Sequence, residues 1–271
     1  MTAAVGRVLI AAGSDSGGGA GVQADIKAVT ALGGFAMTAV TALTAQNTEG
    51  VFGVVGIDPA FIALQMEVVL RDIGADCLKT GMLHNAAVIE AVAGMHGEMA
   101  ADMPLVVDPV MVAKGGHALL EPEAVHALRT RLLPQATLVT PNLPEAEALT
   151  GLTLTGPDTM VAAGEAIRAL GAVAVLIKGG HLAGDRLYDV LVTANGVDVF
   201  EDARIDTRHT HGTGCTLASA IATGIAQGLG LRDAVARARA YVREAIRTAP
   251  GLGHGHGPLN HGHTVRPFDG G

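Results

Sequence analysis

A chain of 271 residues is long enough for one α/β domain with a sizeable core. Its apolar share is 49%, yet aromatics make up 3% and Trp is absent, so the core has to be built from Ala, Val, Leu, Ile and Met. A formal net charge of −8 excludes a general nucleic-acid binder, which needs a basic face, and two cysteines are too few for a disulfide scaffold. A reduced, cytoplasmic setting is expected. Neither a signal-peptide pattern nor an apolar run long enough for a bilayer is present, so no membrane partner is expected.

Arg7 to Ala12 has the apolar pattern of a buried strand and runs into Gly13-Ser14-Asp15-Ser16-Gly17-Gly18-Gly19-Ala20-Gly21. Strand, glycine loop and helix (about Ala20 to Leu32) make a ligand-binding layout, though the spacing is neither that of a Walker A loop nor of a dinucleotide fingerprint. A flexible turn explains the glycines equally well. Phe35 to Ala45 reads as one strand leading to the polar patch Thr44-Ala45-Gln46-Asn47-Thr48, and Val51 to Ile57 as the next. The Gln46 amide both donates and accepts, which suits a ring with mixed edges. Asp58-Pro59 starts a helix to about Gly74, with Phe61, Leu64, Val68 and Val69 on one face. A short strand at Asp76 to Thr80 and a helix from Asn85 to Met99 follow.

Three later strands repeat one scheme, an apolar run ending in chemistry. Pro104 to Val110 delivers Asp108, Ala136 to Thr140 leads to Asn142 and Glu145, and Ala174 to Ile177 ends in Lys178. In an open parallel sheet these carboxyl ends converge on one edge, where ligands bind. Tyr188 to Ala203, with Asn195-Gly196 at its turn, reads as a β-hairpin. Then comes His209-Thr210-His211-Gly212-Thr213-Gly214-Cys215-Thr216, before a small-residue helix from Thr213 to about Gln227. Its glycines let the backbone approach a ligand, and the helix start offers outward N–H groups and a dipole that favour an anion. Cys215 in that first turn is expected to have a lowered thiol pKa. An anion cradle beside one reactive side chain suits phosphoryl transfer. The last helix, Leu231 to Ala249, is amphipathic, and the Gly- and His-rich tail from Gly251 to Gly271 is expected to be flexible. Metal binding by its His254, His256, His261 and His263 is the weaker alternative.

The glycine loop through Asp25, together with Thr41 to Thr48, Lys79 to Leu83, Val107 to Met111, Thr140 to Glu145, Lys178 to His181 and His211 to Thr216, resembles the hydroxymethylpyrimidine/phosphomethylpyrimidine kinases. These are thiamine-pathway members of the ribokinase-like superfamily, and the match runs in order from about Val8 to His263. The resemblance implies one domain over residues 1–271. Its fold would be a ribokinase-like three-layer α/β/α arrangement around a mostly parallel sheet with a few antiparallel strands, usually in a homodimer. It implies phosphorylation of 4-amino-5-hydroxymethyl-2-methylpyrimidine and then of its monophosphate, with ATP and Mg²⁺. By the same resemblance Gly13, Asp25 and Gln46 contact the pyrimidine, and Thr44, Met82 and Val110 wall its pocket. Lys178, with Asn142, Thr213 and Arg239, serves the nucleotide. Asp108 and Glu145 serve the metal, Gly212 and Gly214 form the anion hole, and Cys215 is the base. Ser16-Gly17 replaces the family's usual Pro-Ser, which implies a more mobile loop; Thr44 is commonly Val there, and Arg239 commonly Lys. The nearest rival reading is a pyridoxal or pyridoxine kinase. A non-catalytic pyrimidine-sensing module is a rival of another class, but it needs no phosphate chemistry.

Overall fold

The computed structural model describes residues 5–111, 122–266 and 270. Strand β1 (Arg7–Ala12) is buried along almost its whole length because it pairs on both sides, in parallel, with β2 (Phe35–Val40) and β5 (Cys77–Thr80). Parallel pairing continues through β6 (Leu105–Val107), β7 (Leu138–Val139) and β8 (Val175–Lys178). The hairpin β9 (Arg186–Thr193) and β10 (Gly196–Ala203) then adds two antiparallel strands, giving the order β10-β9-β8-β7-β6-β5-β1-β2. A separate antiparallel ribbon, β3 (Ala42–Gln46) with β4 (Val51–Gly56), stands off this sheet.

Alternation along the strands splits the apolar residues between two cores. Leu9, Ala11, Leu105 and Val107 pack with α2 (Pro59–Asp72), α3 (Ala86–Met99), α5 (Leu143–Thr150) and α6 (Pro157–Arg168), whereas α4 (Pro122–Ala127) adds Ala124 and Ala127 to the same side. Val8, Ile10, Ala12 and Val106 face α1 (Gly21–Ala31), α7 (Thr213–Ala226) and α8 (Leu231–Arg247). Helices on both faces of a mostly parallel sheet are the three-layer fold the resemblance implies. Side chains as small as Ala218, Ala220 and Ala222 on α7 let that helix sit close to the sheet without aromatic filler.

The structure departs from the sequence-based expectation in three places. Phe35 to Ala45 is not one strand. Buried Thr41 breaks it, because its carbonyl accepts from the Ile57 N–H at 3.0 Å and its hydroxyl donates to the Met82 carbonyl at 2.6 Å. The chain therefore leaves the main sheet, and the β3–β4 ribbon overhangs its edge. On α2 the inward residues are Ile62 and Met66, while Phe61, Leu64 and Val68 are exposed. That helix carries two apolar stripes, and periodicity alone chose the outer one. The tail is not loose as far as Arg266. Leu259 and His261 are buried, the His256 N–H donates to the Thr48 carbonyl at 2.8 Å, and the Asn260 N–H to the Ala245 carbonyl at 3.0 Å. Among the described residues no group of three or more His, Cys, Asp or Glu could hold a metal ion, so the metal-binding reading of the tail finds no site there.

Candidate active site

The carboxyl ends of β1, β5, β6, β7 and β8 open into one cavity of about 710 Å³. Gly13 follows β1, Met82 follows β5, Asp108 follows β6, Asn142 follows β7, and Lys178 ends β8. The chain turns in opposite directions from β1 and β5 to build the two halves of the sheet, and a crevice forms at such a switch point. Thr44 and Gln46 from the ribbon, Val110, Glu145, Arg239, and Gly212 to Cys215 complete the wall. Of the substrate, nucleotide, metal and catalytic residues that the resemblance names, Asp25 alone is not on it.

The glycine loop is tied down rather than mobile. The Asp15 carboxylate accepts from the N–H groups of Gly17 (2.8 Å), Gly19 (3.0 Å) and Ala20 (2.8 Å), and from His211 Nε2 (2.8 Å). Burial would raise the Asp15 pKa, but the bonds from His211, Ala20 and Gly17 hold it below the usual carboxylate value. Ser16 Oγ donates to the Gln46 carbonyl and accepts from its N–H, both at 2.8 Å. The hydroxyl that replaces the expected proline thus anchors the backbone of Gln46. Asp15, Ser16 and His211 join the site by bonds that cross up to 196 positions of sequence; the Gly-Ser-Asp-Ser turn chemistry was their only trace in the sequence.

Gly212 caps α7 in the left-handed region, at φ +79°, and a Cβ there would collide with the Gly19 carbonyl. Thr216 makes the first intrahelical bond, to the Gly212 carbonyl at 2.9 Å, so the N–H groups of Gly214 and Cys215 precede the ladder and remain available to an anion. The C-terminal segment secures this turn. The His211 N–H donates to the Gly257 carbonyl at 3.1 Å, and His261 Nε2 lies 2.9 Å from Thr216 Oγ1, which donates to the Gly212 carbonyl at 2.8 Å. Burial pushes the His261 pKa down to about 4, so that imidazole is neutral at pH 7. The expected activation of Cys215 is not what the environment produces. Burial pushes its thiol up to about 11; Lys79 and the Gly21 N–H pull it down, but Asp25 and Asp108 oppose them. The helix start is outweighed by desolvation and two carboxylates.

Lys178 Nζ donates to Asp108 Oδ1 at 2.8 Å, and a Cβ on Gly214 would lie 3.2 Å from that ammonium. Burial alone would lower the Lys178 pKa, but Asp108 and Glu145 raise it, so it is a cation. Glu145 forms a capping box with Asn142: its carboxylate accepts from the Asn142 N–H at 2.8 Å, and Asn142 Oδ1 from the Glu145 N–H at 2.9 Å. Burial, with repulsion from Asp108 and against the pull of Lys178, lifts the Glu145 pKa to about 7.

A model of the family described as phosphomethylpyrimidine kinase matches residues 15–260. The chain belongs to the phosphomethylpyrimidine kinase family. It is 53% identical to the thiamine biosynthesis bifunctional protein of Geobacter sulfurreducens over 94% of its own length, and spans 52% of that longer relative. It is 48% identical to the hydroxymethylpyrimidine/phosphomethylpyrimidine kinase of Streptomyces coelicolor, with 94% of each chain covered. The pyridoxal kinase of Staphylococcus aureus, solved in complex with AMP-PCP and pyridoxal, superposes with a TM-score of 0.89 at 35% identity, covering 97% of this chain and 96% of that one. No described helix of the kinase is long and apolar enough to cross a membrane.

Two expected ligand contacts of the kinase are already committed to protein partners. Asp25 is fully buried beneath the cavity; Lys79 Nζ donates to both its oxygens at 2.9 Å and Ser219 Oγ to Oδ1 at 2.7 Å. Its position in the first turns of α1 points it across the sheet at β5, so it is corrected from a pyrimidine contact to half of a buried ion pair. Arg239 reaches the cavity wall, but its guanidinium pairs with Asp189 and Asp202, each at 2.8 Å, and lies 4.9 Å over the Phe200 ring. It braces the β9–β10 hairpin from the cavity wall.

Proposed function

We propose that this kinase transfers the γ-phosphoryl group of ATP to the hydroxymethyl oxygen of 4-amino-5-hydroxymethyl-2-methylpyrimidine, and then a second phosphoryl group to the resulting monophosphate. The observation that carries this reading is the continuity of one cavity from the Gln46 wall to Lys178, Asp108, Glu145 and the start of α7. In the first transfer the alcohol oxygen bonds to the γ-phosphorus as the bond to the bridging oxygen breaks and ADP leaves. The Lys178 ammonium and the free N–H groups at Gly214 and Cys215 stabilise charge on the transferring oxygens. Cys215 Sγ takes the alcohol proton. In the second transfer the nucleophile is a phosphate oxygen that is already charged, so the helix start matters more than a base. Incubation with ATP, magnesium and the pyrimidine alcohol should yield monophosphate and then diphosphate; a product mixture lacking both overturns the reading. The superposition with a pyridoxal-bound kinase supports a second reading, pyridoxal kinase activity, and the same assay with pyridoxal as acceptor separates the two.

Asp108 and Glu145 suit Mg²⁺, because they are oxygen donors whose mutual repulsion a divalent cation relieves. Two carboxylates leave the other positions to water and phosphate oxygens. Bound there, Mg²⁺ would neutralise phosphate charge. A carboxyl whose pKa rises from 4.5 in the unfolded chain to about 7 in the folded one loses stability for the fold as pH climbs through that window. Glu145→Gln is therefore expected to raise stability at pH 8 by about 1–3 kcal/mol, while raising the magnesium requirement for turnover. Thermal melts and a magnesium titration check both signs.

A homodimer is the assembly we propose. The β3–β4 ribbon cannot be stable by itself, yet Phe52, Val54 and Val55 on it are exposed, as are Phe61, Leu64 and Val68 on the helix that follows. A second copy would cover these side chains. Phe52→Glu combined with Val55→Glu should convert the dimer to monomer in sedimentation equilibrium, whereas an unchanged mass would place the interface elsewhere.

A further inference from the structure

Among the described residues, Arg204, Arg239 and Arg243 line the cavity, and they differ in what balances their charge. Arg239 faces Asp189 and Asp202, each at 2.8 Å, and Arg243 Nε lies 3.3 Å from Asp202. Arg204, which follows β10, forms no ion pair among the described residues. Its guanidinium donates instead to carbonyls of a single loop: Nε to Gly184 at 2.8 Å, Nη1 to Gly180 at 2.9 Å, and Nη2 to Leu182. That loop, residues 179–185, starts directly after Lys178 at the end of β8. Little else in the structure holds it. His181, Ala183, Gly184 and Asp185 are exposed, while Leu182 packs against the core. The Gly179 N–H donates to Asp189 at 2.9 Å, the Leu182 N–H to the Gly179 carbonyl at 3.0 Å, and the Arg204 N–H to the Asp185 carbonyl at 2.7 Å. An exposed stretch with glycines at 179, 180 and 184 opens readily unless it is tied. A planar fork of N–H groups ties alternate carbonyls at once, which a single ammonium cannot do.

The strand order fixes which end of the cavity this loop serves. Gly13 and Met82 stand at the β1 and β5 end, beside the β3–β4 ribbon. Gly180, His181, Leu187, Arg204 and Ile205 stand at the β8–β10 end, and Lys178 with Gly214 lies between the two. With transfer at Lys178 and Gly214 and the acceptor beside the ribbon, the β8–β10 end is left to the phosphoryl donor. We infer that Arg204 is a positioning residue that holds the loop of residues 179–185 as a wall of the donor nucleotide's end of the cavity. It acts through the loop. By drawing the carbonyls of Gly180, Leu182 and Gly184 to itself, it fixes the course of the chain after Lys178 and satisfies partial negative charges that a polyphosphate would otherwise meet. Arg204 thus governs affinity for the nucleotide and not for the pyrimidine. This deepens the proposed kinase activity and rests on it for the identity of the donor; the clamp itself rests on the geometry.

Two measurements on the full chain test the inference. The first needs no variant. In wild-type protein, the backbone amides of residues 180–185 should gain protection from hydrogen exchange when AMP-PCP is added, and should gain none when the pyrimidine alcohol is added alone. Equal protection by both ligands, or by neither, overturns the inference. The second uses Arg204→Lys, which keeps the charge and loses the fork. Exchange at residues 180–185 should quicken by about tenfold or more in the ligand-free variant, with the amides of β8 and α7 unchanged. The dissociation constant for AMP-PCP and KM for ATP should both rise about tenfold, while KM for the pyrimidine alcohol moves by less than about twofold. A variant with wild-type nucleotide affinity shows that charge alone is needed and overturns the positioning role. So does one that loses affinity for both substrates equally. A wild-type protein that binds AMP-PCP with the expected protection yet phosphorylates no pyrimidine alcohol defeats the functional reading and leaves the clamp standing. Turnover of the alcohol with an unprotected loop defeats the clamp alone.

Discussion

Cys215→Ala is expected to slow phosphorylation of the pyrimidine alcohol by about 10²–10⁴-fold, and the size of the loss should grow with pH. Only the thiolate can accept the alcohol proton, and burial holds the thiol near 11. The thiolate fraction then rises tenfold per pH unit below that value. In the wild-type enzyme the first transfer should accelerate with nearly that slope between pH 8 and 9.5, a range above the titration of Glu145 at about 7. Cys215→Ala should lose the slope, and Cys215→Asp, a carboxylate at all these pH values, should be flat but partly active. The second transfer needs no proton removed and should depend little on pH in all three proteins. Single-turnover rates for each acceptor across that range give the answer. A wild-type profile that is flat from pH 8 would mean that Cys215 is not the base, and the cradle from Gly212 to Gly214 would then account for the rate alone.

What the sequence made legible was whatever depends on local pattern. Apolar runs ending in Asp108, Asn142 and Lys178 gave the parallel strands and the edge at which they converge, since strand ends follow from short-range periodicity. Gly212 and Gly214 before a small-residue helix gave the start of α7 for the same reason. The misreadings all concern contacts between distant segments. Thr41 has strand propensity, and only its bonds to Ile57 and Met82 break the strand. The α2 stripe at Phe61, Leu64 and Val68 has sound helical spacing, but which stripe faces inward depends on where the sheet lies. The lowered thiol expected for Cys215 considered its own helix and not Asp25, Asp108 and the bulk that buries it. The tail read as flexible by composition because its anchors, the carbonyls of Thr48 and Ala245, lie outside it.

Asp25→Asn is expected to cost about 3–5 kcal/mol of stability, whereas a surface contact to substrate would cost almost none. Asp25 and Lys79 are both fully buried, and the ammonium has 2.9 Å contacts to both carboxylate oxygens. Burial pushes the Asp25 carboxyl up against the pull of Lys79, and the same carboxylate holds the Lys79 pKa up against burial. Neutralising one partner leaves the other charge buried without compensation, which is far more costly than losing the pair altogether. Lys79→Met alone should therefore be as harmful as Asp25→Asn. Asp25→Asn combined with Lys79→Met should recover most of the loss, with Ser219 Oγ still able to bond the new amide. The pair also reaches the chemistry: Asp25 raises the Cys215 thiol and Lys79 lowers it. In any folded fraction of Asp25→Asn the uncompensated ammonium should bring the thiol pKa down, speeding its alkylation at pH 8. Denaturant midpoints of the two single variants and the double variant measure the coupling. If Asp25→Asn were as stable as wild type with a raised KM for the pyrimidine alcohol, Asp25 would be a substrate contact after all, and the buried pair would have to open during the reaction.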